Sequence, residues 1–121
     1  MTRRTKKTNP MLIALIQELK KTSAENDAQI WKDIALRLEK PLRNWPNVNL
    51  ERIERYTQAN EVALIPGKVL STGHLTKKVS IAAWAFSETA VQKIKKAGGT
   101  HMTIEKLLKS NPKGKDIRIL G

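Results

Sequence analysis

From Lys78 to Phe86 the residues alternate as they do in a strand, with Val79, Ile81, Ala83 and Ala85 facing one way and Lys78, Ser80, Ala82 and Trp84 the other. In the second half of the segment both sets are apolar, so neither face suits water. The segment therefore reads as a buried central strand, which needs elements packed against it. Those elements stand on both sides of it in the sequence. Ahead of it, Asn9-Pro10 is a helix start, with Asn as the cap and Pro at the first helical position. Leu12, Ile13, Ile16 and Leu19 recur at helical spacing and carry that helix to about Lys21. Asn26 or Asp27 caps a second helix, with Ile30, Trp31, Ile34, Ala35 and Leu38 as its buried stripe, and Pro41 ends it.

Residues 41–49 read as an irregular loop with two prolines, followed by a short helix from about Leu50 to Thr57 that turns Leu50, Ile53 and Tyr56 inward. Val62 to Ile65 is a short strand stopped by Pro66-Gly67, and Lys68 to Leu70 is a second extended piece. Beyond the central strand, Ser87 caps a helix whose inner face is Ala90, Val91, Ile94 and Ala97. Lys93, Lys95 and Lys96 sit where cations suit the helix dipole, and Gly98-Gly99 closes it. Thr103 caps one more helix carrying Ile104, Leu107 and Leu108, Asn111-Pro112 breaks it, and Ile117 to Leu120 make a last strand. The fold class is mixed α/β: a helical N-terminal part, then irregular strand–strand–helix turns. It is expected as a single domain over residues 9–121, with a basic arm at 1–8 and a basic tail from about 111.

The charge identifies the partner class. The 121 residues carry a formal +12, whereas a small soluble domain needs a net charge of only about 2–8. Residues 1–22 hold six basic and one acidic side chain, residues 23–60 six of each, and residues 87–121 eight and three. A neutral middle between basic ends reads as a folded part gripped to nucleic acid through its extremities, since each neutralised phosphate releases counterion. There is no cysteine, hence no disulfide framework or thiol nucleophile, and no apolar run approaches the roughly 20 residues of a membrane span. His74 and His101 stand apart from any metal-ligand spacing, and no P-loop, G-x-S-x-G or G-x-G-x-x-G motif is present. The reading is of no enzyme, no cofactor, no metal, no small-molecule substrate and no membrane, in a cytoplasmic protein.

Candidate contacts follow from residue type and setting. The arm offers Arg3, Arg4, Lys6 and Lys7, and the tail Lys113, Lys115 and Arg118. In the proline-bounded loop, Lys40 and Arg43 stand near Trp45, which either stacks on an unpaired base or tucks into the core. Lys68 follows a glycine that permits close approach to a phosphate, and Lys77-Lys78 abuts the central strand. Trp31 and Trp84 read as core. Glu51 and Glu54, beside Arg52 and Arg55, read as a salt-bridged helix.

Several segments together resemble one family. They are Lys7-Thr8-Asn9-Pro10, Trp31, Arg37-Leu38-Glu39-Lys40-Pro41, Val48-Asn49-Leu50, Arg52-Ile53-Glu54-Arg55-Tyr56, Pro66-Gly67-Lys68-Val69-Leu70, Lys78 to Ala83, Phe86-Ser87 with Ala90 and Ile94, Gly98-Gly99, and Asn111-Pro112 through Arg118. The chain is similar to the archaeal and eukaryotic large-subunit ribosomal protein called L eighteen-e, a relative of the bacterial L fifteen family. Ser71 departs from the pattern, where a second glycine would be expected. The resemblance implies a structural constituent of the large ribosomal subunit that binds and stabilises its rRNA among neighbouring large-subunit proteins, ribosome-bound and without catalysis. Two rivals fit less well. A nucleoid DNA-binding protein would use the first two helices as a helix-turn-helix, but their connector reads as longer than the usual turn, and Glu25, Asp27 and Asp33 crowd the second helix's start. An RNA-modifying enzyme would need a cofactor loop or catalytic constellation.

Overall fold

A computed structural model of the chain describes residues 9–58 and 60–121. Helix α1 (Pro10–Asn26) starts as its residues dictate: Asn9 is extended, and its Oδ1 accepts hydrogen bonds from the N–H groups of Met11 and Leu12 at 2.9 and 3.4 Å. It continues past Lys21 because Thr22 and Ser23 also turn inward and are buried. It ends at Asp27, in the left-handed region with φ of 52°. Only Asp27 and Ala28 separate it from α2 (Gln29–Leu38), so the long connector expected from the sequence is not there, and Asp27 closes the first helix instead of opening the second. Connector length therefore does not argue against a helix-turn-helix. Packing does, because α2 buries Trp31, Ile34, Ala35 and Leu38 against α1 and the sheet as part of a core layer.

The loop after α2 contains a turn of 3-10 helix at Leu42–Asn44 and then strand β1 (Asn47–Asn49), α3 (Leu50–Tyr56), β2 (Val62–Leu70), β3 (Ser80–Phe86), α4 (Glu88–Lys96), β4 (Thr100–Thr103), α5 (Ile104–Ser110) and β5 (Ile117–Ile119). Every described strand pairing is parallel. The order is β1-β2-β3-β4. β5 shares the outer edge of β2 with β1: β5 pairs with Val62 to Leu64, and β1 with Lys68 to Leu70. β3 is central, as its two apolar faces require. Leu64, Ala82 and their neighbours pack under α1, α2 and α5, while Ala63, Ile65, Ile81 and Ala83 pack under α3 and α4. The fold is mixed α/β in three layers. Trp31 is fully buried, its indole N–H donating to the Pro112 carbonyl at 2.8 Å. A buried side chain of this kind contributes about 1.5–3 kcal/mol through its apolar area alone.

Three further expectations need correction. β2 is one strand, not two pieces: it runs through Pro66-Gly67 with a register shift between Ile65 and Lys68, so the proline falls at an irregularity in the pairing with β3. β1 and β4 replace stretches read as loop and helix cap, since three- and four-residue strands arise from pairing rather than from pattern. Tyr56 is not turned inward; it is 51% exposed, and α3 packs through Leu50 and Ile53.

Gly67 is also explained within the fold. A Cβ there would collide with the Pro46 carbonyl oxygen, which accepts a hydrogen bond from the Lys68 N–H at 3.1 Å. The glycine lets β2 approach the chain's own 41–46 loop, not a phosphate. Gly67→Ala should therefore cost at least about 1–3 kcal/mol through forced backbone displacement. Urea unfolding checks this; stability unchanged within about 0.5 kcal/mol would refute the contact.

Candidate nucleic-acid interface

The connection between β2 and β3 shows how the basic side chains divide. Parallel neighbours are usually joined by a crossover containing a helix, yet here residues 71–79 make the return without one. Their polar backbone groups are met by side chains. Lys93 Nζ donates to the carbonyls of Ser71 and Gly73 at 2.7 and 3.1 Å. Glu54 accepts from the Thr76 N–H at 3.0 Å, the Thr76 hydroxyl at 2.6 Å and the Lys77 N–H at 3.4 Å. Lys77 Nζ donates back to the Glu54 and Thr57 carbonyls at 2.7 and 3.1 Å, closing the C-terminal end of α3. Glu54 is thus the clamp of a loop and not one side of an intrahelical ion pair. The Thr76 hydroxyl chiefly, with the two backbone N–H groups and Lys77, holds its carboxyl below the ordinary carboxylate range, against a smaller opposing effect of burial.

Of the residues singled out in the sequence, Arg3, Arg4, Lys6 and Lys7 lie outside the described residues. Lys40 and Arg43 are exposed around the 3-10 turn. Trp45 is half-buried: its ring meets Trp84 edge to face at 5.9 Å, and its indole N–H donates to the Lys40 carbonyl at 2.9 Å. Its anchoring is thus largely internal. Lys68 is exposed, and the β1–β2 pairing sets it opposite Asn47, on the flank of the same loop. The fold therefore brings Lys68 to the Pro46–Asn47 end of the loop that also carries Arg43. Lys78 is exposed with its stem passing over Gly98, whose φ of +81° suits glycine. Lys77 is held inside the fold.

The tail is more structured than a free extension. Asn111 Nδ2 donates to the Lys115 carbonyl at 2.8 Å, the Pro112 carbonyl receives the Trp31 indole, and Gly114 packs against Ile30. β5 then joins the sheet, so residues 111–120 belong to the domain while Lys113 and Lys115 project into solvent. Arg118 pairs with Glu61 at 3.2 Å. The sequence reading missed Lys93 as a tie to the 71–73 turn, because that partner is remote in sequence. His101, set apart from any metal-ligand spacing in the sequence, lies in β4 against Phe86 at 5.4 Å. Among the described residues no group of acids and histidines could hold a metal ion, and no helix is long and apolar enough to cross a membrane.

Comparison with known proteins adds a family context. The family described as ribosomal protein 60S L18 and 50S L18e matches residues 1–121. The chain is 57% identical over 120 residues to the large ribosomal subunit protein eL18 of Methanoregula boonei, covering 99% of each. It is 50% identical over 115 residues to that of Archaeoglobus fulgidus, covering 95% of this chain and 98% of the relative. With the protein of the same name from Methanothermobacter thermautotrophicus it shares 47% over 120 residues.

The Glu54 clamp has a pH signature. Because folding lowers its pKa, its contribution is complete above the ordinary value of 4.5 and is lost as pH falls through the depressed folded value. Glu54→Gln should lose about 1–3 kcal/mol at neutral pH, the scale of hydrogen bonds to a charged acceptor. It should also show a shallower loss of stability in acid. Parallel stability–pH curves for the two proteins would contradict the clamp.

Proposed function

Because the chain belongs to the family of large-subunit ribosomal proteins 60S L18 and 50S L18e, we propose that it is a structural constituent of the large ribosomal subunit which binds and stabilises rRNA, and that it catalyses no reaction. The observation that carries this reading is the end-to-end family match, and the formal +12 on 121 residues supports it from a different direction. The protein would be ribosome-bound in the cytoplasm, with neighbouring large-subunit proteins as further partners.

The mechanism is one of rigid presentation. A three-layer domain carries exposed cations on fixed elements: Lys40, Arg43 and Lys68 around the 41–46 loop, Lys78 at the entrance to β3, and Lys113 and Lys115 on the pinned 112–115 turn. Cations fixed by the fold lose less entropy on meeting phosphates than cations on a free chain. The arm, with Arg3, Arg4, Lys6 and Lys7, adds charge that RNA would neutralise. Lys77 and Trp45 are left out of the principal contacts, because their polar groups serve the fold.

Two measurements test this. The protein should sediment with the large subunit in a lysate and leave that position after RNase; a soluble position at low salt would sink the proposal. Binding to a large-subunit rRNA transcript across a salt series should also depend on the arm. At roughly 0.9 log units of slope per duplex phosphate contact, deletion of residues 2–8 should flatten log affinity against log salt by up to about 3–4 units, and by less on folded rRNA. Equal slopes would locate the grip wholly in the folded domain.

A further inference from the structure

We propose that Tyr56, with Arg52 and Arg55 beside it, is a stacking site for an unpaired base of the rRNA, an inference that rests on the rRNA-binding reading and deepens it. α3 buries Leu50 and Ile53 and leaves Arg52, Arg55 and Tyr56 exposed on one face, at i, i+3 and i+4 spacing. Folding does not account for this face. The Tyr56 ring has the Arg52 guanidinium 5.8 Å from its centroid and is still 51% exposed. Tyrosine, with an apolar ring and a polar tip, is enriched at interfaces that are part apolar and part wet.

The charge around the ring favours a nucleotide. Among the described residues neither Arg52 nor Arg55 forms an ion pair with an acid. The acids of α3 are placed elsewhere: Glu54 is turned onto Thr76 and Lys77, and Glu51 is set over Gly73 in the first turn. Lys77 adds an ammonium at the C-terminal end of the helix, donating to the Glu54 and Thr57 carbonyls and offsetting the negative end of the helix dipole beside Tyr56. The tip of α3 is therefore an open aromatic ring in a positive setting. A base supplies a π-face for the ring and guanidinium, and its phosphate supplies the anion for Arg55. An apolar protein surface would gain nothing from the two guanidinium groups.

Tyr56 is the only tyrosine, so 3-fluorotyrosine gives a single fluorine signal that reports on it alone. A mixed-sequence single-stranded RNA dodecamer should move that signal upfield by ring current, and the same sequence as a duplex should not. On a large-subunit rRNA transcript, Tyr56→Ala should bind about 5- to 150-fold more weakly, the range expected for one lost base stack. Tyr56→Phe should bind like the parent, and both variants should melt like it. If the parent protein binds the transcript and Tyr56→Ala binds equally well, the stacking site is wrong and the rRNA reading stands. If the parent does not bind the transcript, the rRNA reading itself fails. Equal loss in Tyr56→Phe and Tyr56→Ala would overturn stacking in favour of the hydroxyl. Protection of Tyr56 on the subunit that survives RNase would assign this face to a protein neighbour and overturn the proposal.

Discussion

β2 and β3 are parallel neighbours joined without a helix, and the face of the sheet carrying α3 and α4 is organised around that connection. A helix would satisfy its own backbone; residues 71–79 cannot, so α3 and α4 lend them charged side chains. Lys93 reaches across from α4, Glu54 from α3, and Lys77 returns a bond from the loop to α3. The three side chains therefore fix the course of the connection that delivers the chain to β3.

This requirement divides a strongly basic chain into two populations. Some cations, Lys77 and Lys93 above all, are ties within the domain, and Arg118 is engaged with Glu61. Others, such as Lys78, Lys95, Lys96, Lys113 and Lys115, are exposed on elements the fold holds in place. A net charge alone does not separate the two populations, although only the second can neutralise a polyanion without weakening the fold.

What was legible in the sequence was local. Asn9, Ser87 and Thr103 cap their helices as their side chains require, each accepting a backbone N–H bond within the first turn. The double-faced apolar pattern put β3 at the centre, and Ile117 to Leu120 suggested the last strand. Features that depend on distant partners were not legible. β1 and β4 are too short to show a period, and Gly67 is explained only by Pro46 lying above it. Tyr56 fits an inward helical phase, but α3 is only seven residues long and packs through Leu50 and Ile53. For the candidate site, residue type identified the basic positions, but which ammonium groups are committed depended on carbonyls some twenty residues away along the chain, as for Lys77 and Thr57.

That division of cations is the centre of the account, and lysine modification footprinting measures it directly. The rate at which each lysine is acetylated would be followed in the free protein, in the purified large subunit, and in the subunit after RNase. Lys77 and Lys93 should react slowly in all three states. Lys78, Lys113 and Lys115 should react quickly in the free protein, slowly on the subunit, and quickly again once the RNA is removed. Lys77 and Lys93 reacting as fast as the others in the free protein would contradict their place in the fold. Rates for Lys78, Lys113 and Lys115 that do not change on the subunit would contradict the proposed grip on rRNA.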